Sequence, residues 1–299
     1  MTATHGKLQQ VVNLGGLSVK ELIQRVLAEI QSDNCLGQAA QLAYYAIFAL
    51  FPFMLFLITL VGHLPVPNLT EEIMNLLGKA LPQNALNLVE NNIKSIVSNQ
   101  RSGLLSFGIV LAIWSASSAI TGIIDTLNRA YDVNEGRPLW KVRGLAILLT
   151  LGLAVFIILT MLLLVFGPQI GGWIATQVGL GQVFQVVWNI VRWPIIIVLM
   201  MMATAVLYYF APDVEQDWKW LTPGSVFAIV AIIATSLGFS YYVNNFGSYN
   251  KTYGSIGAVI VLLTWMYLNG FFFLVGGEIN SEIEHAAAGG KEAGEKEGA

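Results

Sequence analysis

The chain has 299 residues, of which 56% are hydrophobic and only 11% charged, with a mean hydropathy of +0.66; soluble domains carry roughly 25% charged residues. One soluble core could not hide that much apolar surface, so the composition excludes an ordinary soluble protein. The net charge of -3 offers no basic excess for nucleic acid, and a single cysteine, Cys35, allows no intramolecular disulfide.

The first 38 residues are polar and mixed in charge, without the pattern of a cleavable signal. Within them, Leu22, Ile23, Val26, Leu27 and Ile30 recur at helical spacing against Lys20, Glu21, Gln24, Arg25 and Glu29. This predicts an amphipathic helix over 17–34, lying on the membrane surface or packed on a helix bundle. The first crossing is predicted at 39–62, 24 residues without charge, with Gln41, Tyr44 and Tyr45 on a polar side and Pro52 as an interior kink. Cys35 stands at its mouth as a small buried residue. Residues 64–103 are too polar to cross and hold two amphipathic pieces, 69–81 and 84–97, read as a helical insert on one membrane surface.

The second crossing, 104–124, is rich in small residues: Ser115, Ser118, Ala119 and Gly122 suit close helix packing, or a polar lining. A charged stretch follows, with Asp125, Asn128, Arg129, Asp132, Arg137, Lys141 and Arg143. The next 48 residues carry no charge, too many for one crossing. Gly167-Pro168, Gly171-Gly172, Gly179 and Gly181 suggest a hairpin, with crossings at 144–166 and 183–210. Arg192 falls inside the latter, next to Trp193, and either snorkels to the interface or forms a structural ion pair, or else faces a substrate. The fifth and sixth crossings are predicted at 221–242 and 254–277, and the tail over 285–299 as disordered.

Six crossings put both termini on one side. Ten Lys and Arg side chains then fall on that side and four on the other, which predicts cytoplasmic termini and an outward-facing insert.

Chemistry-bearing motifs are sparse. The three histidines, His5, His63 and His285, have no metal-ligand spacing, and there is no phosphate-binding loop and no nucleophile elbow. No enzyme, metal or cofactor is therefore expected. Glu278 and Glu282, four apart with Asn280 between them, follow the sixth crossing. They are read either as a solvated helix end or as a proton acceptor or inner gate pairing with Arg129.

Three motifs carry a resemblance. Residues 41–52, QLAYYAIFALFP, 124–131, IDTLNRAY, and 249–260, YNKTYGSIGAVI, with Trp265 and 276–280, GGEIN, resemble in order the signatures of the YihY/BrkB family of bacterial inner-membrane proteins. The likeness covers about 34–284. It implies an all-α, six-helix membrane protein with an extramembrane helical insert after the first helix, and a transporter linked in some members to envelope integrity. Some members bear a tRNA-processing ribonuclease label; this chain has no His/Asp cluster to support it.

The expected function is movement of a lipid or amphipathic envelope component across the inner membrane; the alternative is a non-transporting scaffold for an envelope complex. Membrane lipids are the expected partners, with a lipid or small solute as substrate and no nucleic acid; the oligomeric state is left open. A lipid is favoured over a small ion because no paired intramembrane carboxylates are evident. Candidate pathway residues are Tyr45, Pro52, Ser115, Ser118, Asp125, Asn128, Arg129 and Arg192, and, around the sixth crossing, Tyr249, Tyr253, Gly254, Gly257, Glu278, Asn280 and Glu282.

Overall fold

A computed structural model describes residues 14–63, 102–179, 181–216, 218, 221–246, 249–287, 290, 292 and 294–296. Seven α-helices occur among them: α1 (Val19–Ser32), α2 (Cys35–His63), α3 (Ser102–Ala130), α4 (Leu139–Val178), α5 (Gln182–Phe210), α6 (Pro223–Phe246) and α7 (Tyr249–Ala286). Four contain a stretch long and apolar enough to cross a membrane: Leu139–Leu164, Val183–Phe210, Pro223–Val243 and Val259–Ala286. Only 6% of the α4 window is buried within the protein, so its apolar side chains, among them Leu148, Val155 and Ile158, face outward. That is the pattern of a helix solvated by lipid. The predicted insert at 64–103 lies almost wholly outside the described residues.

Each helix end has a local cause. Helix α1 opens on a capping box, in which Ser18 Oγ accepts from the Glu21 N–H (3.2 Å) while the Glu21 carboxylate accepts from the Ser18 N–H (2.9 Å). It closes on Asp33 and then Asn34, whose φ of 52° is a left-handed conformation that Asn tolerates. Helix α3 closes on a Schellman motif: Asp132 has φ 54°, the Val133 N–H donates to the Asn128 carbonyl (2.9 Å), and the Asp132 N–H donates to that of Arg129 (2.8 Å). At the start of α6, Thr222 and Ser225 cap each other reciprocally, with backbone-to-hydroxyl bonds of 3.0 and 3.1 Å. Pro223 occupies the first helical turn, where its missing N–H costs nothing.

The chain divides into two units, 1–44 with 120–299, and 45–119. In the first, Ile120, Ile124 and Leu127 of α3 pack with Val142, Ala146 and Leu149 of α4 and Leu207 and Tyr208 of α5. Helix α7 packs on α6 and on α1. Of the predicted apolar face, Leu22, Val26 and Ile30 pack in the cluster around Val275, whereas Ile23 and Leu27 remain exposed, as does neighbouring Val19. Bundle packing and an apolar surface-facing side therefore coexist on one helix. In the second unit, Ser115 Oγ donates to the Phe48 carbonyl (3.4 Å), and α2 continues through Pro52.

The hairpin turn is narrower than the glycine pattern predicts. Helix α4 runs through Gly167-Pro168 and Gly171-Gly172 and ends at Gly179, with φ 71°. The reason is packing. A Cβ on Gly167 would stand 2.8 Å from Arg192 Nη1, and one on Gly171 would collide with the Trp188 ring. The two glycines, one turn apart, form a notch for these α5 side chains, and Trp188 Nε1 donates to the Gly167 carbonyl (2.6 Å). At the described part of the tail, Lys296 pairs with Asp213, and its carbonyl accepts from the Glu215 N–H (2.8 Å).

Candidate functional site

The polar residues of the first unit gather where α7 leaves its apolar run. Glu278 is 1% exposed and Glu282 7%, and Asn280 and Ser281 are also buried. Both glutamates are buried rather than standing at a solvated helix end, and the two are one helical turn apart. Nor does either pair with Arg129 as an inner gate: Arg129 bonds Asp125 on its own helix (3.1 Å), whereas Arg25 of α1 reaches Glu282 (3.4 Å). Glu278 accepts from the Cys35 thiol (3.3 Å), which places the lone cysteine in the polar cluster.

Asn280 has a structural task. Its Oδ1 accepts from the Gly224 N–H (2.9 Å) and its Nδ2 donates to Thr222 Oγ1 (3.0 Å), so an α7 side chain satisfies one of the orphan donors in the first turn of α6 and anchors its capping threonine. The two backbones approach closely: a Cβ on Gly276 would stand 2.6 Å from the Gly224 carbonyl oxygen. Asn128 is a second clamp. Its Oδ1 accepts from the Asp213 N–H (2.7 Å) and its Nδ2 donates to Glu135 (2.9 Å). Arg137 then ties Glu135 (2.7 Å) to the Ala211 carbonyl (2.8 Å). Burial would raise the Glu135 and Asp213 carboxyls. Hydrogen bonds from Arg137 and Asn128 at Glu135, and from Lys296 and the Gly136 N–H at Asp213, outweigh it and hold both below the usual range.

Beside Glu278 lies a group that the motif reading missed. The carboxylates of Glu29, Asp33 and Asp132 have ligand atoms all within 4.8 Å of one another. The left-handed turns at Asn34 and Asp132 bring them together, because each ends a helix at the same place. Burial, with the neighbouring Asp132 and Glu29 charges, pushes the Asp33 carboxyl up to about 6, and burial with Asp132 likewise raises Glu29. The available signal was an acidic residue at each of two helix ends, visible only once those ends are known.

Other predicted pathway residues stand apart. Ser118 Oγ bonds the Trp114 carbonyl within its own helix (2.9 Å), and Ser115 bonds α2; with Tyr45 and Pro52 they belong to the second unit. Gly257 is buried on α7; Tyr249, Tyr253 and Gly254 lie in its first turns, with side chains outside the described residues. Arg192 occupies the glycine notch of α4 with its guanidinium 5.4 Å from the Trp193 ring, and its Nε and Nη1 are buried without a hydrogen-bond partner among the described residues.

Comparison with known proteins places these features in a family. The model of the family described as Virulence factor BrkB matches residues 26–299. The chain is 39% identical to the ribonuclease-like protein YfkH of Bacillus subtilis, over 88% of this chain and 94% of that one. It is 24% identical to a UPF0761 membrane protein of Alteromonas mediterranea, over 94% and 93% of the two chains. A UPF0761 membrane protein of Stenotrophomonas maltophilia is 24% identical over 84% of this chain and 58% of its own length. No solved structure matches. With the family model spanning nearly the whole chain and several helices long and apolar enough to cross a bilayer, the protein belongs to the BrkB family of membrane proteins.

Proposed function

We propose that the protein is an integral-membrane transporter that moves a lipid or another amphipathic envelope component across the bacterial inner membrane. The observation that supports this reading is the burial of Glu278 and Glu282, with Asn280, just past the uncharged run 254–277 of α7. Ionisable groups placed there are costly and mark polar routes more often than they stabilise a bundle. The architecture on which the proposal rests has six crossings, both termini cytoplasmic, and an extracytoplasmic helical insert at 64–103. Helices α2 and α3, 29 residues each, are long enough for the two crossings beyond the four apolar spans; at about 1.5 Å per residue each exceeds a hydrocarbon layer of about 30 Å.

The test is scrambling of a headgroup-labelled lipid by purified protein in proteoliposomes, with ion leakage followed in parallel. Scrambling without leakage, lost in Glu278→Gln and Glu282→Gln variants that still insert and fold, is the expected result. No scrambling by the wild type would overturn lipid transport and favour a non-transporting scaffold of the envelope.

A further inference from the structure

We propose that Arg192 is the phosphate-binding centre of a site for one membrane phospholipid, built where α5 packs on the glycine notch of α4. Its side chain lies against Gly167, with the guanidinium 5.4 Å from the Trp193 ring. Nε and Nη1 are buried and have no hydrogen-bond partner among the described residues, while the residue as a whole is partly exposed. The fork is therefore pressed into the notch and left open along the edge that carries Nη2. Buried guanidinium donors are costly without a counter-charge. The hairpin does not supply one, because Arg192 is the only charged residue between Gly144 and Pro212. Among the other described helices, α2 and α6 contain no Asp or Glu. The carboxylates of α3 and α7 lie at the feet of the hairpin, where Asn128 accepts from the Asp213 N–H and Tyr208 donates to the Phe273 carbonyl.

The depth of Arg192 identifies the missing anion. Arg137, just before α4, bonds the Ala211 carbonyl just after α5, so the two feet of the hairpin are level. Arg192 is 18 residues from Phe210, and Gly167 is 23 residues from Gly144, where the uncharged run of α4 begins; at about 1.5 Å per residue these are about 27 and 35 Å. The two lengths bracket a hydrocarbon layer of about 30 Å, which puts the notch at the boundary opposite the feet, the level of lipid phosphates. Trp188 and Trp193 stand there, as interfacial tryptophans do, and Trp188 braces the notch by donating to the Gly167 carbonyl (2.6 Å). A phosphodiester oxygen at Nη2 accepts a charge-assisted hydrogen bond, and the delocalised charge of the guanidinium lets one anion there offset the burial of the whole fork. One turn nearer the bilayer centre, Leu164 of α4 and Ile195 of α5 are exposed and apolar, ready to carry the acyl chains. The site rests on the chain spanning the membrane and stands whether or not the protein moves lipid.

Full-length protein, delipidated in a maltoside detergent, is titrated with phosphatidylglycerol while bound lipid is counted by native mass spectrometry and the thermal midpoint is followed in parallel. Diacylglycerol and inorganic phosphate are titrated alongside. The expected result is one saturable phosphatidylglycerol and a rise in midpoint that neither of the other two reproduces. Arg192→Met weakens this binding by at least about tenfold, Arg192→Lys weakens it less because the charge stays while the fork is lost, and Lys141→Met, at the foot of α4, leaves it unchanged. Without lipid, Arg192→Met should melt no lower than the wild type, which separates loss of the site from loss of the fold. No saturable lipid on the wild type, or equal binding by Arg192→Met, would overturn the proposal. An equal midpoint shift with diacylglycerol would overturn the role of the phosphate, and one with inorganic phosphate would overturn the lipid as its source.

Discussion

The contact between α6 and α7 makes a demanding test of the helix packing. Gly224 stands at the start of α6 against Gly276 and Asn280 of α7. In Gly224→Ala the new Cβ would lie within van der Waals contact of the Gly276 carbonyl oxygen and 2.7 Å from Asn280 Oδ1. Ordinary contact begins near 3.4 Å, so the helices must separate by several tenths of an ångström or more. Overpacking of this kind costs about 1–3 kcal/mol. The separation also strains the 2.9 Å bond from the Gly224 N–H to Asn280, and orphaning that donor adds about 1–3 kcal/mol. A fall in thermal midpoint of at least about 5 °C is expected. The same substitution at Gly238, farther along α6, meets nothing within 4 Å; there the helix-propensity gain of about 0.5–1 kcal/mol should hold or raise the midpoint. The assay is internal to the protein: Cys35 is its only cysteine and is 1% exposed, so a thiol-reactive fluorophore reports unfolding. Equal melting of Gly224→Ala and the wild type, or an equal loss at Gly238→Ala, would refute the reasoning.

Asn128→Ala removes both bonds that hold Glu135 and the Asp213 N–H; a destabilisation of about 1–3 kcal/mol is expected in the same melt, and an unchanged midpoint would deny Asn128 its role as a clamp. For Glu135 and Asp213, whose folded-state carboxyls titrate below the usual range, the stabilisation is present above the unfolded values near pH 4 and is lost as pH falls through the lower folded values. Midpoints measured downward from about pH 5 should therefore drop, with a smaller drop in Arg137→Met, which lacks the partner responsible; parallel profiles would count against that pairing. Arg192→Met replaces buried guanidinium nitrogens that have no hydrogen-bond partner among the described residues, so its midpoint should rise by a few degrees, consistent with relief of about 1 kcal/mol or more. A lower midpoint would show that the notch holds the arginine by contacts stronger than its desolvation cost.

Composition and uncharged length alone established that this is a helical membrane protein, because hydrocarbon solvation imposes a requirement that can be counted along the chain: about 20 apolar residues with every backbone group bonded within the helix. The predicted amphipathic helix near the N-terminus and the apolar stretches of α4 to α7 were legible for that reason, and so was Asn280 as a polar residue worth noticing. The roles of polar residues were not legible, since they depend on neighbours distant in sequence. Glu278 looked like a helix end in water until α1 and α2 covered it and Cys35 met its carboxylate. Arg129 looked like a gate partner, yet the shorter path led to Asp125 on its own helix. The glycines of α4 resembled a turn because small residues serve both turns and close contacts, and only Trp188 and Arg192 packed against them distinguish the two. Glu29, Asp33 and Asp132 became a group through two helix terminations, at Asn34 and Asp132, whose left-handed backbones set where three separate carboxylates meet. Periodicity and length are properties of one segment and its solvent, whereas a site is a coincidence of several segments, which tertiary packing alone decides.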